Sequence, residues 1–329
     1  MKVLEKLRVK ITATAVAVGL LACAFTAPSA GAATVVNGDF ETGTLAGWQL
    51  YNGGEPPEGE NRWYAYSGTF VSGGEFPVAV PAPPAGNYAA ITRQGGPGLH
   101  ILYQDVALEP YYSHQLSLLV YYKSDAGLVS PSTFDFMSEL KNQQYRVDVL
   151  RAGAPIETLN PTDILATPFN TITGGPQILG TTPISANLTP FAGQTVRLRF
   201  AEVDNEGVFN AGTDSVAIQS TPPSNAITLG KVKLNKKNGS AKLTVTVPGA
   251  GSLKVADVKK KKKRVKAKTL TATAAGAVKL SLQPTGSAKK TLQEKGKLKL
   301  KVKVTFTPTG GLAATQQKTL TLKLNPPKG

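Results

Sequence analysis

Apolar and polar residues alternate at period two through much of this chain. The clearest stretches are Leu99–Leu108, His114–Tyr122, Gln144–Leu150, Thr195–Phe200 and Ser215–Ile218. A second group follows at Ala241–Val247, Ser252–Val255, Ala277–Leu282, Lys297–Phe306 and Thr319–Leu324. Such alternation predicts strands with one buried and one wetted face. In Lys297–Phe306 the leucines, valines and Phe306 make one face, and Lys297, Lys299, Lys301 and Lys303 the other. No segment carries a long helical stripe, so the pattern predicts an all-β chain whose sheets cover one another as antiparallel sandwiches.

Between the two groups, Thr-Pro-Pro-Ser-Asn-Ala-Ile at 221–227 reads as a short hinge stiffened by its prolines. The expected organisation is a leader at 1–32, a first sandwich at 33–220, the linker 221–227 and a basic β-domain at 228–329. The turn signals Pro248-Gly249, Pro284-Thr285-Gly286 and Pro308-Thr309-Gly310 punctuate the last segment at intervals that suit a small immunoglobulin-like sandwich. From Ala152 to Leu188, prolines, glycines and hydroxyl residues suggest irregular loops or edge segments.

Composition separates the two halves further. Both Trp and all ten Tyr precede the linker, whereas Phe306 is the only aromatic residue after it. Residues 33–227 hold 8 Lys and Arg against 18 acids, and residues 228–329 hold 25 against 2, so the net charge of +16 describes neither part. At the N-terminus, Lys2, Lys6, Arg8 and Lys10 precede a mostly apolar run from Ile11 to Phe25 and the small residues Ala30-Gly31-Ala32, the layout of a secretion signal. Extracellular or cell-surface residence is the expectation, with lipid anchoring through Cys23 of Leu20-Leu21-Ala22-Cys23 as the competing reading. No cysteine follows Cys23, so the exported chain depends on packed cores rather than disulfides.

Three local patterns sharpen the first half. Asn37-Gly38-Asp39-Phe40-Glu41-Thr42-Gly43 with Gly47-Trp48 opens it; Phe191–Phe200 comes much later; Asp204-Asn205-Glu206-Gly207 and Gly212-Thr213-Asp214-Ser215-Val216 close it. Here residues 35–219 resemble the galactose-binding-like jelly rolls of secreted carbohydrate-binding modules, which implies a jelly-roll sandwich. Read from the residues, Glu41 and Asp214 would converge if the first and last strands are neighbours, giving hard oxygen donors suited to calcium. The resemblance implies one structural calcium at a comparable position. The alternative is that both acids cap turns or face solvent. The tail resembles the Lys/Thr-rich β-domains appended to secreted proteins of soil actinobacteria.

Candidate contacts follow from residue type. Trp63 and Tyr64, with Arg62 beside them, lie in a Gly/Pro/Glu-rich stretch and would offer rings to a sugar face and a donor to its hydroxyls. Alternation along a strand sends one of the two rings inward. The same reasoning expects one of each pair Tyr111-Tyr112 and Tyr121-Tyr122 to point inward. Lys259–Lys263 with Arg264 is the densest charge run, read either as a solvated edge that resists aggregation or as a surface for an anionic cell-wall polymer. Specific nucleic-acid binding is not expected, since the run lacks stacking aromatics.

Catalytic signals are sparse. No Gly-x-Ser-x-Gly elbow or His-Glu-x-x-His helix occurs, and His100 and His114, the only histidines, sit in predicted strands. The leading expectation is a non-catalytic secreted protein that binds glycan or associates with the cell envelope. A structural or adhesion protein without sugar binding is the main alternative, and a polysaccharide hydrolase a lesser one.

Overall fold

A computed structural model describes residues 33–53, 62–71, 78–93, 96–259, 261 and 263–325. The leader, Cys23, Lys260 and Lys262 lie outside them. Over the described residues the chain is all-β apart from one short α-helix and a single 3-10 turn. Its antiparallel sheets form sandwich-like arrangements.

Twelve strands precede the linker: β1 (Gln49–Gly53), β2 (Arg62–Tyr66), β3 (Phe70–Val71), β4 (Val78–Ala79), β5 (Ala89–Arg93), β6 (Gly98–Ala107), β7 (Ser113–Ser124), β8 (Gln143–Arg151), β9 (Ile164–Asn170), β10 (Ile178–Asn187), β11 (Thr195–Asp204) and β12 (Phe209–Thr221). They make two five-stranded sheets, ordered β1-β6-β11-β8-β9 and β10-β7-β12-β5-β2, with β3 and β4 as a small separate ladder. The expected strands at 99–108, 114–122, 144–150, 195–200 and 215–218 all fall within this set. The Pro/Gly-rich 152–188 region supplies β9 and β10, each at the edge of its sheet, where proline's missing donor costs least.

Leu102, Val147, Leu198 and Phe200 from the first sheet meet Leu116, Leu118, Val120 and Ala211 from the second in one core. Phe40 and Trp48 join it, with ring centroids 5.6 Å apart and Trp48 Nε1 donating to Asn37 O at 3.0 Å. The opening motif thus anchors the chain start to the sandwich. The two outer faces carry smaller cores of their own. Leu99, Ile101, Ala201 and Val203 lie under Phe134 on the first sheet. Tyr66, Ile91 and Tyr121 lie under Val71 and Val80 on the second. That second cover corrects one expectation, because Tyr121 and Tyr122 are both buried, on opposite faces of β7. Alternation fixes only which way a ring points, and here both directions lead to packed layers.

After the linker come β13 (Thr228–Asn235), β14 (Ser240–Val247), β15 (Gly251–Asp257), β16 (Lys268–Ala272), β17 (Gly276–Leu282), α1 (Gly286–Lys295), β18 (Lys297–Pro308) and β19 (Ala314–Lys323). Their sheets are β13-β14-β17 and β16-β15-β18-β19. Leu243, Val245, Leu280, Val302, Val304 and Phe306 head a core that shares no residue with the first. Helix α1 escaped the pattern reading because only Ala288 and Leu292, four apart, are buried, and of these Leu292 joins that core. Gly296 ends it with φ of 64° and donates its N–H to Leu292 O. The linker lies against the turn between β18 and β19: Asn225 Nδ2 donates to Leu312 O at 2.9 Å, and a side chain at Gly311 would press on Pro223.

Candidate functional site

The two carboxylates singled out from the sequence meet at one loop. Glu41 Oε1 accepts the backbone N–H groups of Asn87 (2.8 Å) and Tyr88 (2.9 Å), and Asp214 Oδ2 accepts that of Ala85 (2.9 Å). Between these positions Gly86 adopts φ of 60°, and a Cβ there would collide with Glu41 Oε1. Asp214 is presented by a bulge in β12, where the pairing with β7 slips between Asp214 and Ala217 and Ser215 takes φ of 52°. Val216 N–H then donates to Gly38 O at 2.8 Å, tying the opening motif to the closing one.

Their environments differ. The Tyr88 and Asn87 amides hold exposed Glu41 below the usual carboxylate range. Burial pushes Asp214 up to about 6 against the pull of the Ala85 and Ser215 amides, and the charge of Glu41 adds to the rise. Among the described residues no group of three or more His, Cys, Asp or Glu is placed to hold a metal. A cation at this loop would therefore draw further oxygens from the backbone, which suits calcium.

The Arg62-Trp63-Tyr64 expectation needs correction. Trp63 is 1% exposed, faces the sandwich interior beside Tyr145 and Phe200, and donates Nε1–H to His100 O at 3.1 Å. Its ring is packing, not a platform for a sugar. Tyr64 faces the other way and packs half-buried against the Tyr66 cluster, leaving Arg62 exposed. The cause is β2 pairing with β5, which makes it an edge strand of the second sheet rather than a loop.

The outer face of the first sheet is closed by the chain itself. Arg146 grips Asp148 with two bonds of 2.8 Å; Arg199 Nη2 donates to Asp148 Oδ2 at 2.6 Å. Arg199 Nη1 also reaches Ile156 O and Thr158 O, and its guanidinium lies 5.0 Å from the Phe134 ring centroid. Burial opposes ionisation of Asp148, but the Arg146 hydrogen bonds and the Arg199 charge win and hold its pKa down. Removing either partner would strand a buried charge.

A polar group that the sequence reading missed lies inside the sandwich. Glu202 on β11 stands in register with His100 on β6. Among the described residues neither Glu202 oxygen finds a hydrogen-bond partner, nor does His100 Nε2, and all are buried. His100 Nδ1 lies 2.9 Å from Asn52 Oδ1. Burial drives Glu202 well above the usual carboxylate range and lowers His100 to about 4. Asp204, on the same face, rises to about 7, again through burial. Glu202 is fully buried and His100 is 3% exposed. His114 is likewise engaged, by Ser220 Oγ and Glu109 O, each at 2.9 Å.

One sheet surface stays open. On the outer face of the second sheet, Asn187, Gln115 and Gln219 sit side by side on β10, β7 and β12 and are exposed. Ser185 and Ser117 form the next row, and Pro183 with Leu119 the one after. Two shallow depressions lie along these rows, about 360 Å³ at the amide end and about 460 Å³ at the Leu119 end. Alternation over His114–Tyr122 reaches only Gln115; Asn187 and Gln219 lie outside the strands expected from the sequence, and only the sheet order reveals that three amides share a row.

In the second sandwich the charge run is partly tied down. Arg264 binds Asp257 through Nε (3.0 Å) and Nη2 (2.9 Å). Burial opposes ionisation of Asp257, yet the Arg264 side chain and backbone amides bring it down to about 2. Lys259, Lys261 and Lys263 are exposed.

No family profile and no curated protein sequence matches this chain. Among solved structures, the K3 cleaved adhesin domain of Lys-gingipain from Porphyromonas gingivalis W83 is similar at 15% identity and a TM-score of 0.34, over 56% of this chain and 96% of that one. The module TmCBM61, solved with β-1,4-galactotriose, aligns at 11% identity and a TM-score of 0.35, over 56% and 95%. The adhesin domain of Epf from Streptococcus pyogenes aligns at 12% and 0.32, over 90% and 98%. Likeness at these scores carries no functional weight.

Proposed function

We propose that this chain is a secreted, non-catalytic protein that binds a neutral glycan along the Asn187-Gln115-Gln219 row and associates with the cell envelope through its basic half. The amide row carries the reading. Three neighbouring amides offer donors and acceptors to vicinal hydroxyls, with Ser117 and Ser185 in the next row and apolar Pro183 and Leu119 in the one after. The lining of both depressions is free of Asp, Glu, Lys and Arg, which favours an uncharged polyol over an ionic ligand. The reading moves the contact away from Arg62, Trp63 and Tyr64.

In this reading residues 33–220 are a jelly roll and 228–329 an immunoglobulin-like domain, each folding alone; the separate cores support it. Expressed apart, each half should unfold in its own cooperative transition, and failure of either to fold would reject the division. Calcium at the Glu41–Asp214 loop would brace the first sandwich at the point where its opening motif, bulge and 85–88 loop meet. The two carboxylates that the 85–88 loop gathers supply hard oxygen donors of the kind such an ion takes.

A glycan array with the full chain tests the binding reading. Wild type should bind a neutral glycan class, and the Gln115→Ala/Asn187→Ala pair should weaken it by about thirtyfold, given ~1 kcal/mol for each of two lost hydrogen bonds. Binding to no glycan, or a variant as tight as wild type, would reject it.

A further inference from the structure

Among the described residues, a regular row of charge stands on a sheet face of the second sandwich. On β18 Lys297, Lys299, Lys301 and Lys303 are exposed, while Leu300, Val302 and Val304 point into the core. Alternate residues of a strand stand ~6.7 Å apart, so the four lysines form a straight row of about 20 Å. Beside them on β19, Thr321 faces Lys299 and Thr319 faces Lys301, with Lys323 closing the row opposite Lys297. Beyond Lys303, Thr305 and Thr315 share a hydrogen bond of 2.7 Å, and Lys254 of β15 lies opposite Thr305. Among the described residues no carboxylate belongs to this face: Asp257 points inward to Arg264, and Glu294, the other acid of the basic half, is on α1.

We propose that this face docks a linear polyol-phosphate polymer, laid along β18 with one phosphodiester per lysine. The inference rests on the envelope-association part of the reading above. Three observations select the occupant. The face is cationic without any balancing acid among the described residues, so its partner is a polyanion. Its charges come singly at a regular interval matching a chain with one phosphate per three-carbon unit. The charged groups are lysine ammoniums, point charges that suit mobile phosphodiesters better than rigid bidentate recognition, and the flanking threonines supply hydroxyl partners for the polyol. A single-stranded nucleic acid has comparable phosphate spacing but relies on ring stacking, and the described residues of this face present no aromatic side chain, since Phe306 is buried. In the Lys259–Arg264 run, the described lysines Lys259, Lys261 and Lys263 lie between β15 and β16, outside any strand that would space them.

The test is fluorescence anisotropy of a labelled glycerol-phosphate octamer with the full chain. Lys299→Gln/Lys301→Gln should weaken binding by tenfold or more, whereas Lys261→Gln/Lys263→Gln, with the same loss of charge, should weaken it less than threefold. Four phosphate contacts predict a log–log salt slope near −3, from ~0.7 per contact on a single chain. Equal losses in the two pairs would overturn the proposal, as would equally tight binding of single-stranded DNA or polygalacturonate of matched charge. The Gln115→Ala/Asn187→Ala variant should bind the octamer as wild type does, which separates failure of the neutral-glycan reading from failure of this one.

Discussion

Replacing Glu202 by Gln should make the protein more stable, and increasingly so as pH rises. In the fold this carboxyl is fully buried with neither oxygen hydrogen-bonded, so burial keeps it neutral, and the neighbouring Asp204 adds to the rise in its pKa. In the unfolded chain it ionises near ~4.3. Unfolding therefore releases a proton at any pH between those two values. The stability associated with neutral Glu202 is complete below about pH 4 and is lost with rising pH at ~1.4 kcal/mol per unit until the folded pKa is reached. Each pH unit inside that window therefore removes a sizeable share of a domain's net stability. A glutamine in its place would keep the shape and polarity of the neutral acid but cannot ionise. Urea unfolding followed by tryptophan fluorescence, at a series of pH values, gives the difference between the Glu202→Gln variant and wild type. It should be near zero at about pH 4.5 and widen as pH rises, by at most ~1.4 kcal/mol per pH unit, until the folded carboxyl ionises. Asp204 and Asp214 also have raised pKa values and the same sign of pH dependence, but they are present in both proteins and largely cancel. A difference that stays flat with pH would refute the reasoning.

Two further outcomes bear on the other sites. Chelation of divalent cations should lower the melting temperature of wild type by several degrees but leave Glu41→Gln unmoved, checked by calorimetry; a chelator with no effect on wild type would remove calcium from the Glu41–Asp214 loop. Trp63→Ala should cost ~3–5 kcal/mol in chemical denaturation, the penalty for emptying a packed aromatic site, whereas an undiminished stability would contradict its place among Tyr145 and Phe200.

Much of the architecture was legible before any coordinates. Lys297–Phe306 alternates so regularly that its buried and wetted faces could be assigned residue by residue, and the structure keeps that assignment. The opening Asn37–Trp48 motif was readable as an anchor because Phe40 and Trp48 are large apolar rings beside a tight turn. Trp63 was legible only in part: alternation required one ring of Trp63-Tyr64 to turn inward, but not which one, nor that β2 would pair with β5. Helix α1 was missed because two apolar residues are too few to set a period, and Glu202 because an acid inside an alternating strand looks like any outward polar residue.

By itself, then, the sequence determined that this protein is built of antiparallel strands, that a basic half follows an acidic one, and that lysines line one side of a strand. These are local properties, set by side-chain period, turn chemistry and charge along a few neighbouring residues. Only the tertiary structure decided that Glu41 and Asp214 share the 85–88 loop, that Asn187, Gln115 and Gln219 stand in one row, and that Glu202 is buried opposite His100. Each of those meetings joins residues far apart in the chain, and it is strand order and register, fixed by the packing of whole sheets, that brings them together.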